Sequence, residues 1–104
     1  MDEKRYKYEF SPLAVDDLTE IFEYIALASS SIQIAENLID EMQTAVENLC
    51  DFPFSHPLVK DSILRKKGYR LLVVKNYNIF YVVKEKRIII RRVLHGKRNF
   101  EGSL

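Results

Sequence analysis

The spacing of apolar and polar positions changes character several times along the chain. Tyr6, Tyr8 and Phe10 alternate with Lys7 and Glu9, a period of two that predicts a short strand with one buried face. Ser11-Pro12 then reads as a helix start. Ser11 is the cap, and Pro12 sits at the first helical position, where its missing N–H costs nothing. Ala14, Leu18, Ile21, Phe22 and Ile25 follow helical spacing, which carries a first helix to about Ala28. The polar stretch "ASSSIQ" stops the pattern and restarts it, with Ser30 and Gln33 in capping-box relation. Ala35, Leu38, Ile39, Met42, Ala45, Val46 and Leu49 then mark one face of a second helix ending near Asp51, just before Pro53. A break this short folds two amphipathic helices back on each other as an antiparallel hairpin.

Residues 52–67 contain two prolines and little periodicity, and predict an irregular connection. Tyr69 to Val74, Tyr77 to Lys84 and Arg87 to Leu94 are β-rich runs separated by the dipeptides Lys75-Asn76 and Glu85-Lys86. Such gaps allow only hairpins, so the runs form a three-stranded antiparallel meander, although neither gap offers a glycine to the turn. The assembled expectation is an α+β domain spanning residues 1–104. An N-terminal strand joins the sheet, and the helical hairpin covers one sheet face.

Composition narrows this picture without changing it. At 104 residues, 47% hydrophobic and 30% charged, the chain has the profile of a single globular domain. Its apolar runs are too short to cross a bilayer, and "MDEKRYKYEF" lacks the apolar core of a secretory signal. A lone cysteine, Cys50, makes no internal disulfide, so a reducing, cytoplasmic setting is expected, with Cys50 as a small core residue at a helix end.

Charge is more informative. Residues 1–52 hold three Lys/Arg against twelve Asp/Glu, a net of −9, whereas residues 53–104 hold thirteen against three, a net of +10. Such asymmetry points to nucleic acid or another acidic partner, unless acidic helices simply neutralise basic strands within the fold.

Candidate chemistry follows from the basic half. His56 and His95 are not at ligand spacing with each other or with Cys50, so no metal site is expected. There is no glycine-rich phosphate loop either, and no cofactor is expected. What remains is a basic sheet carrying aromatic residues: Arg70, Lys75, Tyr77, Tyr81, Arg91, His95, Lys97 and Arg98. Metal-free RNA cleavage needs a base, an acid and cations for the phosphorane. His95 has the titration range for acid or base, and Arg70 or Arg98 could hold a phosphate bidentately. Equally, a histidine closing a buried strand can be structural. Lys75, Tyr81, Arg91 and Lys97 are candidates for contacting a target or nucleic acid. Strict alternation puts Arg91 and Arg92 on opposite faces, so at most one of them joins a site. Tyr77 and Tyr81 share a face, where core packing and base stacking are both open.

Taken in order, "FSPLAVDDLTEIFEYIA", "LCDFPFSHP", "YRLLVVKNYNIFYVV" and "IIIRRVLHGKRNF" resemble the RelE/ParE superfamily of toxins of type II toxin-antitoxin modules, over nearly the whole chain. The resemblance implies a growth-inhibiting toxin in hetero-oligomeric complex with an acidic antitoxin, with no membrane partner. RelE-like members cleave mRNA on the ribosome with basic residues and a near-C-terminal tyrosine. Arg70 and Arg98 match two of those basic positions. Leu72, Asn78 and Leu104 stand where a lysine, an arginine and the tyrosine would be. "YNIFY" followed by "RVLHGKR" is more similar to the ParE-like branch, also linked to plasmid stabilization, whose better-known members inhibit DNA gyrase. Endoribonuclease action, through Arg70, His95 and Arg98, is the alternative that the resemblance leaves.

Overall fold

A computed structural model describes residues 5–96 and residue 104. Its elements in chain order are β1 (Lys7–Phe10), α1 (Pro12–Ser29), α2 (Ile32–Leu49), α3 (Ser62–Lys66), β2 (Arg70–Val74), β3 (Tyr77–Lys84) and β4 (Arg87–His95). The strands form one sheet in the order β1-β4-β3-β2. β2, β3 and β4 are the antiparallel meander, while β1 lies parallel to β4, Tyr8 opposite Ile88 and Phe10 opposite Ile90. The expected α+β architecture is therefore observed, with the first strand added beside the last.

Local chemistry sets the element ends. Ser11 caps α1 by accepting from Ala14 N, with Pro12 at the first helical position. The second cap falls one residue later than the capping-box pattern suggests. Ser31 caps α2 through Ile34 N, while Ser30 closes α1 in a left-handed conformation at φ 56°. The connection after α2 is also less irregular than expected. Asp61 accepts from the amides of Ile63 and Leu64 and starts the short helix α3, whose cap no hydrophobic period announces. The β3–β4 turn places Glu85 and Lys86 at φ 52° and 64°, the paired left-handed conformations of a tight hairpin turn, without glycine.

Two apolar clusters lie on opposite sides of the sheet. On the helix side, Ala14, Ile21, Met42, Val46 and Leu49 meet Leu72, Val74, Tyr77, Ile79, Tyr81, Ile88, Ile90 and Val93. On the outer side, Phe80 and Leu94 pack with Val59 and with Leu64 of α3, and Tyr69, Leu71 and Leu104 lean on them. Burial of Cys50 at the end of α2 places it in the first cluster and pushes its thiol above the usual range.

A register shift in the β3–β4 pair explains the sequence "IIIRRVL". Tyr81 lies opposite Ile90 but Phe80 opposite Arg92, which leaves Arg91 as an extra residue. Such a bulge moves the inward positions of the strand by one. Ile88 and Ile90 face the helices before it, and Val93 faces them after it. Strict alternation would instead have turned Arg92 inward.

Beyond Phe10, β4 has lost its β1 neighbour and would present bare edge amides. α1 closes that edge with side chains. Ser11 Oγ donates to Arg91 O at 3.0 Å, and the Asp17 carboxylate accepts from Val93 N at 2.9 Å. The same carboxylate receives Arg92 Nε at 2.8 Å and its terminal nitrogen at 2.9 Å. Asp17 is only 6% exposed, so this bidentate pair is shielded from solvent. The carboxylate holds Arg92 still further above its ordinary range, against the opposing effect of burial.

Removing one member of a buried pair typically costs about 3–5 kcal/mol, because the other charge is left unmatched. Asp17→Ala also strands Val93 N–H, so a loss in that range is expected in urea unfolding. A change below about 1 kcal/mol would show that the Asp17 contacts contribute little to holding α1 on β4.

Candidate functional site

The sequence-derived residues separate into distinct places. Arg70 begins β2 opposite Tyr81, which in turn lies opposite Ile90; His95 ends β4 opposite Tyr77, which lies opposite Val74. The two rows are four residues apart on β2, or about 13 Å along the strand at the usual rise. Both residues lie on the helix side of the sheet, with Leu72, Val74 and Ile79 of the core packed between their ends. Arg70 and His95 are not brought together.

Arg70 is also occupied. Its guanidinium donates to His56 O at 2.7 Å and lies over the Phe54 ring, 5.0 Å from the centroid. Phe54 meets Tyr6 edge-on, so this end of the molecule is a small aromatic cluster pinned by one cation. His95 is exposed and stands edge-on to Tyr77 at 5.4 Å.

Tyr81, a candidate for contacting a target, is instead a core residue at 0% exposure, with its hydroxyl donating to Pro53 O at 3.3 Å. The cause is its inward register on a central strand, within the helix-side core. Lys75 is exposed in the β2–β3 turn at φ 54° and pairs loosely with Glu41 of α2 at 3.8 Å. Arg91, the bulge residue, is half-buried, and its Nε meets no hydrogen-bond partner among the described residues. Lys97 and Arg98 lie outside the described residues. Among the described residues, no three His, Cys, Asp or Glu side chains converge as a metal ion would require. Nor is any described helix long and apolar enough to cross a membrane.

Two surfaces emerge, the first without a counterpart in the sequence analysis. One is a groove of about 960 Å³ where the helical hairpin meets the far end of the sheet. Ile21, Ile25, Leu38, Tyr77 and Val93 line its apolar part, and Asp17, Glu20 and Glu41 face Lys75 and His95 around it. Beside it the hairpin exposes Tyr24 at 65%, Leu27 at 82%, Ile32 at 63% and Ile34 at 51%. These residues fall off the core stripe of each helix, and that surplus was the available signal.

The second surface is electrostatic. Asp16, Glu20, Glu23, Glu36, Asp40 and Glu41 are exposed on α1 and α2, the helix side of the sheet. Lys60, Arg65, Lys66 and Lys67 are exposed around α3, on the outer side. Ion pairs among the described residues join Arg5 to Asp51, Lys75 to Glu41, Arg87 to Glu9 and Arg92 to Asp17. None of them neutralises the α3 cations. Part of the charge asymmetry of the sequence is neutralised by the pairs of Lys75, Arg87 and Arg92, and the α3 cations are a part that is not.

The class that this architecture defines is a small α+β domain, with a helical hairpin laid on a mostly antiparallel sheet. The model for the ParE toxin of the type II toxin-antitoxin system parDE matches residues 8–100. The chain thus belongs to the ParE toxin family of type II toxin-antitoxin systems. Its fold is similar to that of the chromosomal ParDE toxin-antitoxin system from P. aeruginosa. The TM-score is 0.74 at 16% identity, over 89% of this chain and 98% of that one. It is similar too to the RelBE2 toxin-antitoxin complex from Mycobacterium tuberculosis, with a TM-score of 0.60 at 17% identity, over 88% and 98% of the two chains. No curated protein matches the chain in sequence.

Burial pushes the Tyr81 phenol up to about 12, with Arg70 nearby acting in the other direction. Tyr77 is also raised, first by burial and then by Tyr24. The folded protein therefore holds these protons more tightly than the unfolded chain, whose phenols titrate near pH 10. This contribution to stability is complete below about pH 10 and is lost as pH rises through about 12. Unfolding free energy is expected to fall across that window, and Tyr81→Phe should flatten the fall while costing about 1 kcal/mol at neutral pH. An unchanged slope in Tyr81→Phe would contradict the assignment.

Proposed function

We propose that this toxin acts by binding and blocking its target, with DNA gyrase as the first candidate, and not by cutting mRNA. The observation that carries this reading is the separation of Arg70 from His95. A phosphoryl-transfer site needs its cation and its acid or base within hydrogen-bond reach of one phosphate. Of the two arginines that could hold a phosphate, Arg98 lies outside the described residues, and Arg70 is engaged by His56 O and the Phe54 ring at one end of the sheet while the histidine stands at the other. Membership of the ParE family makes gyrase the candidate to test before the ribosome.

The cognate antitoxin is the partner that the groove beside the hairpin suits best. Tyr24, Leu27 and Ile34 continue the apolar lining of the groove outward, a continuous surface of the kind that takes an amphipathic helix. Similarity to two toxin-antitoxin assemblies supports a toxin-antitoxin hetero-oligomer. Because Asp17 and Glu41 at this groove are already paired with Arg92 and Lys75, an antitoxin segment seated there would be held chiefly by apolar contacts.

Purified protein is expected to lower gyrase supercoiling, or to accumulate cleaved DNA complexes, while mRNA in a translating extract stays intact. His95→Ala should leave that inhibition within about twofold. Ribosome-dependent mRNA fragments that vanish in His95→Ala would instead establish the endoribonuclease. For the partner, Leu27→Asp and Ile34→Asp together should weaken antitoxin binding at least about a hundredfold, the scale of losing two apolar anchors. Both side chains are already solvent-exposed, so the fold should survive. Unchanged antitoxin affinity in that variant would place the interface elsewhere.

A further inference from the structure

We infer that the outer face of the sheet, around α3, is a binding surface for the phosphate backbone of duplex DNA. The segment "KDSILRKK" (60–67) brings Lys60, Arg65, Lys66 and Lys67 to the surface, and none of them has an ion pair among the described residues. Its one acid, Asp61, is engaged by the amides of Ile63 and Leu64. The platform is rigid: Leu64 is 8% exposed and fixed against Phe80 and Leu94, and the chain before and after α3 is tied together by Val59 N donating to Tyr69 O at 2.9 Å.

A structural role explains part of this. Arg65 and Lys66 occupy the last turn of α3, where cations complement the exposed carbonyls. Lys60 does not fit that account, because it precedes the cap at the opposite end, where a cation is disfavoured. The segment spans roughly 12 Å, over which a duplex carries about seven phosphates, more than enough to engage four cations.

Other anionic partners fit less well. Residues 60–67 contain no aromatic side chain, and nearby Tyr69 leans into the outer cluster, so base stacking of single strands is not provided for. The only large apolar side chain that the segment exposes is Ile63, too little to anchor an acidic peptide. With acidic helices on the opposite face, a duplex would meet the molecule in one orientation.

The site is independent of the gyrase reading, and is tested without gyrase. Anisotropy of a labelled duplex of about 30 bp is measured with the purified full-length chain from about 50 to 200 mM salt. Two variants are compared, Arg65→Gln/Lys66→Gln/Lys67→Gln and, as a control, Lys84→Gln/Lys86→Gln in the β3–β4 turn. The triple variant is expected to flatten the plot of log affinity against log salt by about 2.7, at about 0.9 for each lost phosphate contact. The control should leave the slope as in the parent. If circular dichroism shows the triple variant unfolded, Lys60→Gln/Lys66→Gln should flatten the slope by about 1.8. The inference is overturned if the parent does not bind duplex at the lowest salt, or if the control flattens the slope equally. Stronger displacement of the duplex by charge-matched single-stranded RNA or polyglutamate would overturn it as well. Duplex binding alongside unimpaired supercoiling would remove the gyrase reading and leave this one standing.

Discussion

The carboxylate of Asp17 is the contact on which the arrangement of layers depends. It takes a bidentate guanidinium and a strand amide at once, and so joins the first helix to the last strand across 76 residues of sequence. Without an edge partner, the amide of Val93 would face either water or a foreign strand. α1 removes that choice. Ser11 and Asp17 hold it against β4 at Arg91, Arg92 and Val93, beside the groove that Asp17 and Val93 help to line.

The bulge in β4 is the complement of that contact. A single extra residue, Arg91, lets the strand bury Ile88 and Ile90 on one parity and Val93 on the other. Arg92 is thereby released from an inward position and reaches Asp17. The local break in alternation and the buried ion pair are two aspects of one adjustment, and either would be unfavourable without the other.

Much of this was legible in the chain. Periodicity gave both long helices, the N-terminal strand and the meander, because each buries one clean face at its own period. The short helix α3 was not legible. Its one buried residue, Leu64, carries no period, and its only announcement is the cap Asp61. Parallel pairing of β1 with β4 is likewise a fact of tertiary arrangement, decided by how the hairpin carries the chain back. At the candidate sites, residue type alone could not decide. For Tyr81 core packing and contact with a target were both open, and its register on an inner strand puts it in the core. Arg70 and His95 were candidates for one constellation, but a meander by its own geometry puts the start of its first strand and the finish of its third at opposite ends, and the bulge in β4 does not bring them together. Charge, by contrast, reported something that hydropathy did not: the basic half of the sequence leaves four cations around α3, on the outer side, without an ion pair among the described residues.

The neighbour relation between the first strand and the last has a consequence for biosynthesis. β1 leaves the ribosome before the other described elements and waits through the making of all of them, since the strand it adjoins, Arg87–His95, is the last of these elements to emerge. A prematurely terminated chain therefore lacks both the inner strand and the anchor for α1. For a member of a toxin family, the order of synthesis itself keeps an unfinished molecule from assuming the harmful shape.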